Sequence, residues 1–338
     1  MPETATAAPK SSLSALLEAW PAIVCLVLLA LVPLIASLLD NPFLIRLFTR
    51  VVIFSIVAVA LNFVLGFGGL VSMMHAGLFG VGAYVVAIFA FHDMDGSRIW
   101  IFPGTANLAI TIPLAIIMTS IVAAAAGAVS LRTSGAYFIM ITLAFNQMLY
   151  YFFVALEKYG GEDGQQILAS LSLAGWDITR RTTFYYVSLA ALIATLILFW
   201  RLVNSRFGVV LQATAQNERR VIALGISPLR YKLAAFVISG AVTGLAGALW
   251  ATGQQFVSPA DLSWIRAADF VVMAVLGGMA RVGGAVLGAV VIVLLEALLP
   301  NYTQFWQLPF GLIVILIVVY LQGGLAGLFT RDRQVGGH

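Results

Sequence analysis

Few residues in this sequence could carry acid–base or nucleophilic chemistry. The three histidines, His75, His92 and His338, are far apart along the chain, and the single cysteine, Cys25, lies inside an apolar run. The sequence contains no C-x-x-C pair and no H-E-x-x-H motif, so residue spacing gives no support to a metal site. We therefore predict no catalytic residue and no metal ligand.

The lysines argue against nucleotide hydrolysis by the chain itself. A phosphate-binding P-loop needs Gly-Lys followed by Ser or Thr. The three lysines follow Pro9, Glu157 and Tyr231 instead. We therefore expect no cofactor in this chain, and we expect any ATP-Mg that drives it to be held by partner subunits.

Ionisable side chains inside apolar runs are few, and each could be functional. A charge at the centre of a membrane helix costs about 2.5–3.5 kcal/mol on insertion scales. Asp269 lies two residues into a run and Glu296 lies four residues before Pro300, near run ends where this cost is smaller. His75 follows a glycine-rich break. Two interpretations remain open for the presence of each of these three side chains in an apolar run. Each could be paired with a group on a neighbouring helix, or each could line a transport pathway.

Glycines interrupt the longest apolar segment. Residues 51–91 are almost entirely apolar and would extend about 60 Å as one helix, twice the thickness of the hydrocarbon core. The chain must therefore turn within them, and a glycine cluster near residue 68 marks the place. Two interpretations remain open there, namely close helix packing and a broken helix that lines a cavity. The predicted pathway residues are Gly66, Gly68, Gly69, Ser72, His75, Gly77, Tyr84, Gly277 and Gly278.

The elements that position these residues follow from composition. Hydrophobic residues make up 62% of the 338 and charged residues only 9%, whereas soluble domains have about 25% charged residues. Long unbroken apolar runs indicate membrane-spanning helices, not strands. We predict an all-α, polytopic transmembrane helix bundle of about 8–10 spans with broken or re-entrant segments. The runs are 20–39, 43–65, 72–91, 107–130, 135–156, 183–200, 231–252, 267–280, 283–299 and 308–328.

The distribution of basic residues predicts the orientation. With ten spans and both termini inside, eleven lysines and arginines lie inside and seven outside, which favours cytoplasmic termini. Membrane orientation explains the net charge of +4, so this charge does not indicate binding to nucleic acid. We predict that the chain is surrounded by the lipid bilayer and has no nucleic-acid partner. The predicted organisation is a disordered cytoplasmic tail (1–19), one permease domain (20–330) and a second cytoplasmic tail (331–338). An external loop (157–182) and a cytoplasmic loop (203–230) interrupt the domain.

Four segments, in order, resemble one family. They are LNFVLGFGGLVSMMHAGLFGVGAYVVAI (61–88), LRTSGAYFIMITLAFNQMLYYF (131–152), ATAQNERRVIALGISPLRYKLAAFVISGAVTGLAGAL (213–249) and AVLGGMARVGGAVLGAVV (274–291). Together they resemble the permeases of ABC transporters for branched-chain amino acids, the LivM type. The resemblance implies a multi-pass protein of the bacterial inner membrane that pairs with a homologous second permease. It also implies two cytoplasmic ATPase subunits and a periplasmic substrate-binding protein.

The cytoplasmic loop resembles the helix with which such permeases dock on their ATPases. We expect one helix from about Val209 to Leu224, ended by Gly225. The predicted coupling residues are Glu218, Arg219, Arg220, Ala223, Leu224, Gly225 and Ile226. An ion- or proton-coupled secondary transporter is the main alternative, and a membrane enzyme is a weaker one. Within the ABC class, urea, amides or aromatic acids are alternative substrates.

Overall fold

Twelve α-helices account for most of the chain that the structure covers. The computed structural model describes residues 12–99, 102–169, 171–173, 176–177, 180–320, 324–325 and 327. The helices are α1 (Ser12–Leu38), α2 (Pro42–Asn62), α3 (His75–Asp95), α4 (Leu108–Ser130), α5 (Ala136–Val154), α6 (Arg181–Val203), α7 (Arg206–Gln216), α8 (Glu218–Ala223), α9 (Pro228–Gln254), α10 (Trp264–Gly277), α11 (Gly284–Leu298) and α12 (Gln307–Tyr320). A π-helix (Phe63–Phe67) extends α2, and short 3₁₀ turns occur at Glu157–Tyr159, Pro259–Leu262 and Leu299–Asn301.

Strands in the described part are only two residues long and lie in the connections. They form three antiparallel pairs: β1 (Arg98–Ile99) with β2 (Phe102–Pro103), β3 (Gln165–Gln166) with β6 (Phe256–Val257), and β4 (Ser172–Leu173) with β5 (Trp176–Asp177).

The helices confirm the predicted fold class. Within the described residues, seven helices are long and apolar enough to cross a membrane, and α1 and α12 contribute shorter apolar stretches. Each of the ten predicted apolar runs coincides with one helix. The protein is therefore a polytopic helical membrane protein.

Contacts between helices give the relative direction of two helix pairs, and both agree with ten predicted spans that alternate in direction. His75 and Gly82 of α3 meet Ser239 and Gly244 of α9 in the same order, so these helices are parallel. On α11, Glu296 meets Arg50 of α2, while the Arg281 carbonyl before α11 meets Asn62 at the other end of α2. These two helices are therefore antiparallel.

This alternation gives the bundle two ends. The described residues between 157 and 180 lie at one end, which the basic-residue count predicts to be outside. The connection 204–227 lies at the opposite end, which is predicted to be inside. We refer to them below as the predicted outer end and the predicted inner end.

Small residues bring α3 and α9 into contact at the centre of the bundle. A Cβ on Gly82 would collide with the Gly244 carbonyl oxygen, and a Cβ on Gly247 would collide with the Phe79 carbonyl oxygen. Close backbone approach of this kind is the usual role of glycine between membrane helices. Gly244 and Gly247 of α9 therefore serve close helix packing.

Helix α10 is too short to span alone because the segment before it descends into the bundle. Its 14 residues extend about 21 Å, less than the hydrocarbon thickness of about 30 Å. The Leu262 carbonyl accepts a hydrogen bond of 2.7 Å from the Asn146 side-chain amide, midway along α5. The Leu262 side chain occupies the space that a Cβ on Gly80 would need. The predicted re-entrant character thus arises from residues 258–263.

Two predicted boundaries differ from the structure. Helix α1 begins at Ser12, inside the segment 1–19 that we predicted to be disordered, because the Leu, Ala and Glu residues after Ser12 favour helix despite their mixed polarity. The predicted helix from Val209 to Leu224 is two helices, because Asn217 adopts an extended conformation (φ −155°) between α7 and α8. Residues 1–11 and the predicted tail 331–338 lie outside the described residues.

Candidate pathway and docking site

The glycine-rich segment contains the predicted helix break. The π-helix ends at Phe67, residues 68–74 are not helical, and α3 begins at His75. Gly69 has φ +67°, a left-handed conformation that glycine adopts without strain. The Met73 amide donates to the Thr142 hydroxyl on α5 (3.2 Å). The chain therefore turns at the predicted inner end and re-enters the bundle before α3 starts.

The two glycine-rich regions, 66–84 and 276–289, meet in space. A Cβ on Gly66 would collide with the Ala280 backbone nitrogen, and the Asn62 side-chain amide donates to the Arg281 carbonyl (2.9 Å). Gly277 packs against Gly284 with no room for a Cβ, and Gly278 has φ +113°. The structure therefore brings Gly66, Gly277 and Gly278 together at the turn between α10 and α11.

His75 is enclosed between helices within this subunit. Its side chain is 1% exposed, and its Nε2 lies 2.8 Å from the Ser239 hydroxyl, which donates to the Ala60 carbonyl (2.6 Å). Because that hydroxyl proton is used, Nε2–H is the donor to Ser239, and Nδ1 has no partner among the described residues. The residue thus connects α3, α9 and α2.

Gly68, Ser72, Gly77 and Tyr84 are also buried, whereas Gly66 is half-buried and Gly69 is exposed. The Gly77 amide donates to the Asn146 side-chain oxygen (2.6 Å), so Asn146 links α3 to the Leu262 carbonyl. Ser72 is fully buried and accepts from the Met74 amide (3.2 Å). Tyr84 stacks on Phe153 with ring centroids 4.1 Å apart. A role in a pathway remains a prediction for each of them.

Helix α8, which we call the docking helix (Glu218–Ala223), lies exposed at the predicted inner end. The Asn217 side-chain oxygen caps it by accepting from the Arg220 amide (3.2 Å), and Gly225 at φ +79° ends it, as predicted. Ile222 and Leu224 are 57% and 77% exposed, whereas Val221 is buried at 3%. The apolar surface offered to a partner is therefore Ile222 and Leu224, and Val221 anchors the helix to its own subunit.

The other predicted coupling residues differ in their environments. The Glu218 carboxylate pairs with Lys232 at the start of α9 (2.7 Å), which fixes the docking helix against α9. Arg219, Arg220 and Ala223 are exposed, and Ile226 is half-buried.

The non-helical residues 68–74, which we call the broken segment, contact α7, the helix that precedes the docking helix. A Cβ on Gly69 would lie 3.2 Å from the Ala215 Cβ on α7, and a Cβ on Gly68 would lie 3.6 Å from the Leu211 side chain. The predicted pathway residues and the predicted coupling residues are therefore joined through α7.

Arginines neutralise the two acidic residues inside the apolar runs. Glu296 pairs with Arg50, and Asp269 lies 3.6 Å from Arg266 one turn earlier on α10. Both arginines lie over the Phe54 ring, at 5.2 and 5.3 Å. The Arg50 side chain is 27% exposed.

Sequence reasoning missed a cavity of about 420 Å³ at the predicted outer end. Arg46 and Arg50 of α2 and Arg181 of α6 line it, and we call it the arginine pocket. The i, i+4 spacing of the first two arginines signals a shared helix face. The approach of Arg181, which lies far along the chain, carries no sequence signal.

The fold is a polytopic helical bundle with a broken core helix and an exposed short helix at one end. The described residues contain no group of three or more His, Cys, Asp or Glu that could bind a metal.

The family model for the permease component of the branched-chain amino acid transport system matches residues 43–322. The chain belongs to this family, and it is a permease subunit of an ABC importer.

Individual relatives agree with the family assignment. The high-affinity branched-chain amino acid transport system permease protein LivM of Salmonella typhimurium is 28% identical over 84% of this chain and 70% of the relative. LivM of Escherichia coli is 27% identical over the same shares. The LivH permease of Salmonella typhimurium is 25% identical over 81% of this chain and 91% of the relative. No solved structure matches the chain.

Proposed function

We propose that this chain forms one half of the translocation pathway for branched-chain amino acids in a bacterial inner-membrane importer. A periplasmic binding protein delivers the substrate, two cytoplasmic ATPase subunits supply the energy, and both termini of the chain are cytoplasmic. The observation that supports this most strongly is the exposed docking helix, joined to the helix break through α7. The chain itself acts as a transport subunit and not as an enzyme.

A homologous second permease completes the pathway. The chain resembles both LivM and LivH proteins, so two related subunits of this fold exist in one class of transport system. Residues 66–84 and 276–289 are mostly buried within one subunit, and only some of them reach the surface of the bundle. We infer that the pathway forms between this chain and its partner, with the broken segment near it.

The contacts suggest how ATPase movement reaches the pathway. The Glu218–Lys232 pair makes the docking helix move with the start of α9. The neighbouring helix α7 contacts Gly68 and Gly69, so displacement of α7 shifts the non-helical residues 68–74. These residues hydrogen-bond to α5 through Thr142. Movement at the docking helix is thereby transferred to the ends of α3 and α5.

The ion-coupled alternative has less support from the charges. A coupled transporter normally uses intramembrane carboxylates to hold its ion. Glu296 and Asp269 each have an arginine partner, and Asp261 accepts from the Trp250 indole (3.0 Å). Urea, amides and aromatic acids remain alternative substrates within the ABC class.

Reconstitution with the proposed partners tests this function. The chain is co-expressed with its sister permease and ATPase, and leucine uptake into proteoliposomes is measured with the cognate binding protein present. We expect uptake that needs ATP and stops without the ATPase, and we expect the purified chain alone to have no ATPase activity. Leucine uptake driven by a proton gradient without ATP would overturn the proposal. ATP-dependent uptake of urea or an aromatic acid, but not of leucine, would overturn only the proposed substrate and not the proposed importer function.

A further inference from the structure

The arginine pocket concentrates positive charge at the predicted outer end. Arg46 and Arg50 lie one turn apart on α2, and Arg181 is the first residue of α6. No carboxylate is among the residues that line the pocket. Gln254 and Gln255 after α9 add polar groups at its rim.

The arginines retain unused hydrogen-bond donors. Arg50 pairs with Glu296, yet its Nε is buried and has no partner among the described residues. Arg46 and Arg181 form no ion pair with a carboxylate in the described part of the chain. A guanidinium group offers five N–H donors in a planar fork that fits carboxylate or phosphate oxygens. Three such groups around one cavity suit an oxyanion.

The transported amino acid is a poor match for this pocket. A zwitterion would place its ammonium group beside the guanidinium groups of Arg46 and Arg181, which have no carboxylate partner among the described residues, and no lining carboxylate is present to balance it. Like charges in a partly desolvated site repel strongly. The ligand should therefore be an anion that carries no neighbouring positive charge.

The depth of Arg46 matches that of lipid headgroups, and Arg50 lies one turn deeper. Helix α2 begins at Pro42, so Arg46 and Arg50 lie about 6 and 12 Å along it from this end. The polar headgroup layer is about 5–8 Å thick on each side of the hydrocarbon core. Ile53 and Phe184 supply apolar walls below the arginines, where the glycerol and the first acyl carbons of a lipid would lie.

We propose that the arginine pocket binds the phosphate group of an anionic phospholipid. Basic pockets between membrane helices are a general means of holding such headgroups. The bound lipid would join the N-terminal ends of α2 and α6 to the C-terminal end of α9. The proposal does not depend on which compound is transported.

Lipid retention by matched variants tests the proposal. The purified full-length chain is mixed with equal amounts of phosphatidylglycerol and phosphatidylcholine, and bound lipid is measured by native mass spectrometry. Wild type should retain phosphatidylglycerol preferentially. Arg181→Gln and Arg46→Gln should each weaken that retention about tenfold, the effect of losing one charge-assisted hydrogen-bonding group. The control Arg180→Gln changes an adjacent exposed arginine that does not line the pocket and should retain lipid as wild type does.

Two outcomes would overturn the assignment. Equal phosphatidylglycerol retention in all four proteins would exclude the pocket as the site, and an equal loss in Arg180→Gln would indicate only diffuse surface charge. A second arm uses phosphatidylcholine nanodiscs with added inorganic phosphate. If millimolar phosphate raises the thermal unfolding midpoint of wild type but not of Arg181→Gln, the pocket binds soluble oxyanions. The assignment of the phosphate group to a phospholipid is then wrong. No shift with phosphate, together with selective lipid loss, supports the lipid.

Discussion

At the scale of single residues, glycines set how closely the central helices approach. Gly82 and Gly247 leave no space for a Cβ between α3 and α9, whereas Gly311 on α12 has no atom within 4 Å of the corresponding position. The same change of one hydrogen to a methyl group should therefore have opposite effects at the two places.

We predict that Gly82→Ala destabilises the protein and that Gly311→Ala does not. The methyl group at residue 82 would push against the Gly244 backbone, and overpacking of this kind costs about 1–3 kcal/mol. At residue 311 the alanine should be neutral or stabilising, because alanine favours helix by up to about 1 kcal/mol over glycine. Thermal unfolding monitored by size-exclusion chromatography in detergent gives the comparison. Equal midpoints for the two variants would show that α3 and α9 do not pack as described.

Ser72 provides a test of the pathway prediction at one residue. It is fully buried within the subunit, in the non-helical segment that α7 contacts. In a Cys25→Ser background, we expect Ser72→Cys to react with a polar thiol reagent in at least one state of the transport cycle. The control Ser188→Cys, on α6 and equally buried, should stay unreactive in every state. Protection of residue 72 in all states would assign the segment to packing alone.

At the scale of elements, the docking helix is the one best suited to a partner. Gly225→Trp places bulk beside it, but φ +79° at residue 225 makes any side chain there strained. Ala223→Trp adds the same bulk at an exposed helical residue without that strain. We expect Ala223→Trp to leave membrane insertion intact and to abolish both ATPase co-purification and transport, because the indole would hold the two surfaces apart.

The matched control is Ala223→Ser, which keeps the side chain small and should retain transport. Pull-down of the ATPase through a tagged permease measures the contact directly. Normal ATPase recovery and transport by Ala223→Trp would leave the 204–227 connection with a topological role only.

Helix positions could be predicted from the sequence, but their partners could not. Each apolar run of about 20 residues has to be a helix in lipid, and the glycines at 66–69 mark the break because α2 and α3 together are too long for one span. Arg50 and Glu296 are 246 positions apart, and nothing local shows that α2 and α11 are neighbours. The descent of residues 258–263 was hidden for the same reason, since it depends on Gly80 and Asn146 of other helices.

The coupling segment illustrates how local signals compete. Apolar spacing suggested one helix through residues 209–224, but Asn217 prefers to cap a new helix with its side chain. That break separates α7, which contacts the broken core segment, from the docking helix, which faces solvent. Neither α7 nor α8 is among the described helices that are long and apolar enough to cross a membrane.

At the scale of the whole molecule, the direction of the helices makes a prediction about both termini. Ten alternating apolar helices bring the chain back to the end where it started. Consistent with this, a Cβ on Gly324, just after α12, would lie 2.5 Å from Gly278, which lies beside the predicted inner end of α2. The termini and the docking helix should therefore share one side.

The bias of eleven basic residues to seven predicts that this side is the cytoplasm, because translocation of lysine and arginine is disfavoured. Alkaline phosphatase fused after residue 338 should be inactive, and green fluorescent protein fused there should fluoresce. Alkaline phosphatase inserted after Asp163, within the predicted external loop, should be active and serves as the control. The reverse pattern at both sites would invert the orientation and place the docking helix where no ATPase could reach it. Activity at both sites would mean that the number of crossings between residue 163 and the C-terminus is even and not odd. The assignment of α10 and α11 as two separate crossings would then be wrong.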